Sequence, residues 1–463
     1  MSGFTYMRGG VAKWALVGAL AVAAAGCNAV DRLMEVKNPE RLREQDLADQ
    51  KLVNVLVNTA QGNFQVAYDN PFIWVGEMLT DEMITGVNWE DYKRANNRQV
   101  LYYEGPADVM FSELERARYT AELSYKNLSE MESGTVTGDQ FAKVLAYAGY
   151  SYILMGDALC EATIDESAET YAPQALYGFA IDRLTDALAQ ASDSDLRNWI
   201  NVGLARASLD RLEYTQAMSY AQAVPDGFSY WVEYVDDTRA DNALYGNIHG
   251  ANDNMGMNPR FMAGGMTYWL KTVPDNLQTD PRIQHQSTYH TGHDAITPLY
   301  KMYQSWSYSG YTGKTIANGA TQDSDTGVPL YQRGTSIRMA SGLEAKHMYY
   351  EAGLQSGSVS EANVLAFVNQ RRAAGNQAAV TLSGEALKNE LREQRARDLF
   401  MGGFRLGDLR RYLAQGNPPA EHSFPTGLHP SAERGNYLSD TCFPIPIGEY
   451  QGNKNIKDPH VSG

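Results

Sequence analysis

Positive charge is scarce in this chain: 39 Lys and Arg stand against 55 Asp and Glu, a net charge of −16. A nucleic-acid partner would need a clustered basic surface, and no Lys/Arg-rich stripe or RNA-binding motif appears. Cysteine is scarcer still, with three in 463 residues. His285, His290 and His293 match neither a zincin helix nor a Cys/His pair, so they read as solvated loop histidines and no metal site is expected. Asp323-Ser-Asp325-Thr-Gly327 starts like a calcium loop but lacks the closing glutamate and a flanking helix, and reads as an exposed turn. Gly-x-Ser-x-Gly, a phosphate-cradling loop and a base-paired nucleophile are all missing. Nothing argues for an enzyme or for a cofactor.

Long apolar runs are also missing, with one N-terminal exception. Arg8 and Lys13 precede Trp14–Ala25, too short to span a bilayer as a helix, and Ala24-Ala25-Gly26 leads into Cys27. Small residues directly before a cysteine resemble a bacterial lipobox, although Ala24 stands where Leu is commoner. Residues 1–26 are then a signal peptide, and Cys27 is acylated and anchors the mature chain without a spanning helix. Asn28 follows the cysteine where Asp would hint at retention in the inner membrane, so the outer membrane is expected. Residues 27–44 form a polar tether containing Asn38-Pro39.

What the chain has in quantity is tyrosine, 29 residues, with seven Trp, side chains with a flat apolar face and a polar tip. Many fall into helical periodicity. Leu114, Ala117, Ala121, Tyr125 and Leu128 step by three and four, as do Phe141, Val144, Ala148, Tyr152 and Met155. Leu176, Ala180, Leu184, Ala187 and Ala191 continue the pattern. Val202 to Leu212 with Ala217 to Val224 form a compact pair, closed by Pro225-Asp226-Gly227. A further pair comes at 343–354 and 359–374. Ala at the crossing points, with Gly149 and Gly203, lets backbones approach. This resembles degenerate tetratricopeptide repeats, with 199–226 nearest the consensus. The expected fold is all-α, about four helical hairpins with few short strands.

Between the pairs the character changes. Residues 228–340 lose periodicity and are rich in Gly, Asn, Asp, Thr and aromatics, and a loop of that length is expected to have a job. A smaller irregular region, 74–104, holds Trp89 and Tyr92. The domain 45–463 is therefore expected as scaffold 45–227 and 341–412, insertion 228–340, and an extended tail, 413–463.

The most informative stretch is Ser383–Tyr412. Ser383 is placed to cap a helix, with Leu387, Leu391 and Leu399 on one face and Glu393 four residues before Arg397. Gly402 and Gly403 break that helix, and Arg405, Asp408, Arg410 and Arg411 follow. Arginine rather than lysine, with its planar fork, suggests a partly buried ion-pair knot. The run Glu393-x-Arg395-x-Arg397-Asp398-Leu399, Gly403-Phe404-Arg405 and Asp408-Leu409-Arg410-Arg411 resembles the C-terminal signature of the SusD/RagB family. Leu406 and Gly407 stand where that family has bulky aromatics, so local packing must differ. Asn38-Pro39, Asp280-Pro281-Arg282 and the closing Pro444-Ile445-Pro446 with Glu449, Asn453 and Asn455 are three more ordered landmarks.

The resemblance implies an outer-membrane lipoprotein, exposed at the cell surface, that captures nutrient beside a TonB-dependent transporter. The family does not encode its ligand residues in a motif. Composition and location single out Trp89, Tyr92, Arg94 and Asn96 in the early loop and Trp306, Tyr308 and Tyr311 in the insertion as an oligosaccharide platform. Glu393, Arg395, Arg397, Asp408 and Arg410 are read as structural. The alternatives are a peptide-capturing relative, a secreted all-α glycoside hydrolase, and a repeat adaptor that only assembles envelope complexes. With Cys27 acylated, Cys160 and Cys442 are either a disulfide or two separate thiols, because spacing does not reveal their distance.

Overall fold

Alanine and leucine at three- and four-residue spacing build an antiparallel array of helices. The computed structural model describes residues 52–236, 241–249, 254–303, 331, 333–416 and 418–460. Cys27, the tether, Trp306, Tyr308, Tyr311 and the 323–327 turn lie outside them. The first elements are α1 (Val53–Ala67), α2 (Glu90–Asn96), α3 (Gly105–Ser129), α4 (Gly138–Ala158), α5 (Pro173–Gln190), α6 (Ser194–Asp210) and α7 (Tyr214–Gln222). Leaving out the short α2, each packs on the next. Starts are set locally: Thr137 and Gln140 form a reciprocal capping box at α4, and Asp193 accepts from the Leu196 N–H at 2.8 Å to open α6. Close approach is built in, since a Cβ on Gly149 would stand 2.5 Å from Leu184 Cγ.

The array resumes after the insertion. The helix α9 (Gly342–Ser356) packs on α7, with α10 (Glu361–Ala374) and α11 (Gly384–Asp398) behind it; the insertion carries the short α8 (Ala243–Ile248). The insertion's two ends are zipped together by β2 (Ser229–Val232), antiparallel to β6 (Ile337–Ser341), with Ser229 opposite Ser341. Other strands are shorter: β1 (Met83–Thr85) pairs with β3 (Met255–Met257), and β4 (His290–Thr291) with β5 (Pro298–Leu299). The fold is thus mostly helical with few short strands, as expected. Much of the tyrosine is core. Trp199 stacks on Tyr230 with centroids 4.0 Å apart and on Tyr150 at 5.1 Å, joining α4, α6 and β2. Among the described residues no helix is long and apolar enough to cross a membrane.

The arginine-rich stretch is buried, and it is a knot. α12 (Arg405–Gln415) follows a break in which Met401 and Gly403 both take positive φ. Arg395 Nε lies 2.8 Å from Asp408, and Arg405 grips Asp81 through two nitrogens at 2.6 and 2.7 Å. Arg411 holds Glu351 at 2.8 Å, Asp210 at 2.7 Å and Asp408 at 2.7 Å, linking α9, α6 and α12. Arg410 reaches three carbonyls at the end of α4, those of Gly156, Asp157 and Leu159, at 2.8–2.9 Å. Glu393 pairs with Arg397 at 2.6 Å, the expected four-residue pair, and also with Arg260 of the insertion. Burial alone would raise the Asp408 carboxyl, but the Arg395 and Arg411 charges outweigh it and hold it down at about 2.

Three local expectations need correction or sharpening. Ser383 sits at the start of α11, yet its side chain makes no capping bond. Instead the Glu361 carboxylate accepts the Gly384 N–H at 3.1 Å, from α10. His285 is not a solvated loop residue: it is fully buried, accepts the Ala263 N–H at 3.1 Å, and burial pushes it down to about 4. The packing at Gly407 is explained by Asp157, whose carboxyl carbon would lie 2.7 Å from a Cβ there. That carboxyl accepts the Tyr177 hydroxyl at 2.8 Å, so the space goes to a buried polar pair.

Asp280-Pro281-Arg282 ties the insertion to the scaffold. Arg282 folds back onto Asp280 at 2.7 Å and reaches Asp398 at 3.0 Å, where His347 and Arg371 also converge at 2.7 Å. The tail lies along the array, mostly irregular but with a short helix at Ile447–Gly452: Ile447 N–H donates to Tyr102 O at 2.7 Å and Phe443 N–H to Ala158 O at 2.9 Å. Cys160 and Cys442 form a disulfide with Cα atoms 5.0 Å apart and a sequence separation of 282, which settles the open alternative. Asn453 and Asn455 bind the Ser167 and Glu166 carbonyls, at 3.0 and 2.8 Å.

Arg411→Met should cost about 3–5 kcal/mol in urea unfolding, because three buried carboxylates lose a partner. Arg116→Met, at a half-exposed pair with Glu113, should change stability by about 1 kcal/mol or less. Equal small effects would show that the knot is not a stability determinant. Replacing Cys160 and Cys442 together with Ser should lower stability by about 2–4 kcal/mol through the freed denatured chain. Peptide mapping without reductant should first show the two cysteines linked.

Candidate functional site

Local sequence places the early loop's aromatics on a supported edge. α2 begins with Glu90 and Asp91 and ends with Lys93 and Arg94, charges that suit its dipole at both ends. Trp89 stands just before the first turn, half exposed at 54%. Its ring lies 5.4 Å from Tyr92, which stacks on Trp74 at 5.3 Å and 22°. Trp74 is buried and forms the backing. The three rings therefore make a ladder with one exposed step, the form of a platform that can cover the apolar C–H face of a flat ligand.

Arg94 pairs with the buried carboxylate of Glu104 and keeps part of its guanidinium in solvent. The hydrogen bond to Glu104 raises its pKa further, so it remains a cation that can donate to a ligand acceptor at the platform rim. Tyr92 is half-buried, and burial raises its phenol. It stays a neutral hydroxyl.

Asn96 does not belong to this surface. It is fully buried. Its Oδ1 accepts from Thr85 N–H at 3.0 Å, His429 Nε2 at 3.2 Å and Arg434 Nη1 at 3.3 Å, while Nδ2 donates to Met78 O at 3.1 Å. Its amide is spent holding α2 to β1 and the C-terminal tail, so it is a support. Arg98 does similar work, donating to the carbonyls of Pro425, Ser439 and Asp440 at 2.6–3.0 Å. The platform thus stands on a segment nailed to residues more than 300 positions later. Trp306, Tyr308 and Tyr311 fall outside the described residues, so the structure groups only Trp89, Tyr92 and Arg94 of the expected set.

Sequence reasoning missed Trp74 as the backing ring and Glu104 as the partner of Arg94. Both lie in the aromatic-rich 74–104 stretch, and the ten-residue step from Arg94 to Glu104 follows no helical spacing that would reveal the pair. Among the described residues no group of three or more His, Cys, Asp or Glu converges as a metal cage.

Asn96→Ala should lower stability by about 1–3 kcal/mol, because the Thr85 N–H and Met78 carbonyl are left buried and unpaired. Thermal unfolding that matches the parent would return Asn96 to the list of ligand groups.

No protein-family model and no curated protein matches the sequence. Solved structures do. A SusD superfamily protein from Parabacteroides distasonis superposes with a TM-score of 0.63 at 14% identity, over 91% of this chain and all of its own length. One from Bacteroides vulgatus gives 0.62 at 14%, over 88% and 98%. The surface glycan-binding protein A from Bacteroides uniformis gives 0.56 at 12%, over 89% and 99%. Whole-length superposition of these proteins with the interrupted helical array means that this chain has the SusD-like fold.

Proposed function

We propose that the protein is a cell-surface lipoprotein of SusD/RagB type that binds an oligosaccharide and hands it to a TonB-dependent outer-membrane transporter. Residues 1–26 serve as signal peptide, Cys27 as the acylated anchor, and 27–44 as the tether to the domain. The observation that carries the ligand reading is the Trp89–Tyr92–Trp74 ladder, an exposed indole held by a buried one, in a fold shared with a surface glycan-binding protein.

Binding by such a platform needs no bond chemistry. A pyranose lays its C–H face on Trp89, which removes apolar surface from water on both partners. Arg94 supplies a charged donor to a hydroxyl oxygen at the rim. Trp306, Tyr308 and Tyr311 remain part of the proposal as a second face. Because the supporting segment is fixed by Asn96 and Arg98, little ordering accompanies binding, which preserves affinity from a small contact.

Calorimetry against a panel of polysaccharides, with product analysis, tests this. Binding without released reducing ends is expected, and Trp89→Ala should weaken it about tenfold, equivalent to about 1.4 kcal/mol. Released reducing ends would replace the binder with a hydrolase. Affinity untouched by both Trp89→Ala and Trp306→Ala would remove the platform.

A further inference from the structure

Close to the platform the chain covers one of its own aromatic faces. Tyr102 belongs to the loop between α2 and α3, two residues before Glu104, the partner of Arg94. The start of α3 lies against the platform itself, since a Cβ on Gly105 would stand 3.5 Å from Tyr92 Cε2. Three residues of chain span at most about 11 Å, so Tyr102 is within reach of an oligosaccharide that begins on Trp89. Its backbone is fixed by the Ile447 N–H, which donates to Tyr102 O at 2.7 Å.

Several rings meet at this residue. The exposed ring of Tyr103 stands edge-on to it at 5.4 Å and 80°, and Tyr450 stands at 6.4 Å and 72°. On the face of Tyr102 lies the imidazole of His460, 3.9 Å away and only 20° from parallel. Tyr102 is thus a floor with two upright neighbours, and a flat ring already rests on it.

The segment that brings His460 there is fastened at its near end. Asn453 is buried and donates to Ser167 O at 3.0 Å, and Asn455 donates to Glu166 O at 2.8 Å. Beyond Asn455, among the described residues, no hydrogen bond or ion pair joins 456–460 to the scaffold. Asp458 accepts the His460 N–H at 2.8 Å across Pro459, a local turn that aims the imidazole without tying it down. Lys457, Pro459 and His460 are exposed, so this end lifts without opening the core. The ring stack is its latch.

We infer that Tyr102 is a second stacking step for the glycan, and that residues 456–460 are a strap whose His460 competes with a sugar ring for it. This rests on the glycan reading of the platform and adds a device that limits affinity for long chains. An oligosaccharide seated on Trp89 and long enough to reach Tyr102 displaces the imidazole and lays a pyranose face in its place, beside Tyr103. A shorter sugar stays on Trp89 and leaves the strap closed. Without ligand, the strap keeps the apolar face of Tyr102 out of water. Long oligomers bind in proportion to the fraction of open strap.

Calorimetry on the mature, disulfide-intact protein tests this with hexamers and dimers of β-1,4-glucan, α-1,4-glucan, β-1,4-xylan and β-1,4-mannan. His460→Ala should bind a hexamer about fivefold more tightly than the parent does, with no such gain for the dimer. Adding Tyr102→Leu should remove the gain, and Trp89→Ala should weaken hexamer binding with the strap present or absent. In nuclear magnetic resonance spectra of the parent, saturating hexamer should move the His460 ring signals to their positions in Tyr102→Leu, where the stack is missing. A hexamer that binds the parent but gains nothing from His460→Ala, or a gain that survives Tyr102→Leu, would overturn the strap and leave the platform standing. No binding of any oligomer to either protein would overturn both.

Discussion

The guanidinium of Arg411 lies where three stretches of chain distant in sequence have to meet. Asp210 ends α6, the last helix but one before the insertion, Glu351 belongs to α9 just after it, and Asp408 sits in the same helix as Arg411. A helical array interrupted by over a hundred residues has no local signal telling its two halves where to rejoin. Apolar packing of α7 on α9 favours contact but tolerates sliding. Carboxylates that must share one planar fork do not, because a shift of one turn would strand charges away from water. Arg206 repeats the device one layer away, gripping Glu344 of α9 at 2.8 and 3.0 Å. The knot's contribution is thus to register as well as to stability.

That register passes outward to the proposed ligand platform. Arg405 holds Asp81 just before β1, and β1 pairs with a strand of the insertion, so the knot fixes the region from which α2 emerges. Asn96 and Arg98 then bind α2 to the tail, and the disulfide binds the tail to the end of α4. Trp89 stands at the end of this chain of constraints. An exposed aromatic on an unsupported loop would lose entropy on binding; on this one the order is already present.

Much of this was legible in the residues. Periodicity identified the paired helices because their buried faces repeat at 3.6 residues, and the choice of Arg over Lys announced the buried ion pairs. The pattern was less informative where contacts are non-local. His285 is three residues from a charged buried arginine in a loop rich in polar residues, and nothing in the local sequence reveals that it fills a core position. Asn96 carries the same ambiguity: a polar amide next to aromatics reads as a ligand group until its partners, two of them over 300 residues away, are seen to consume it. The Cys160–Cys442 pairing was undetermined for the same reason, since a separation of 282 residues carries no distance information.

Leu406 and Gly407 show how a departure from a family pattern can be physical rather than incidental. A bulky side chain at 407 would occupy the space of the Asp157 carboxyl. Burial raises that carboxyl to about 8, so near neutrality it is largely the protonated acid beside Tyr177. A neutral acid can sit at the crossing of α4, α5 and α12 where a charge could not, and it leaves the three carbonyls at the end of α4 free for Arg410. The small residue in α12 and the polar residue in α4 are therefore one adaptation. Replacing the glycine with an aromatic would require removing the aspartate as well, a pairwise dependence that resemblance by single positions cannot display.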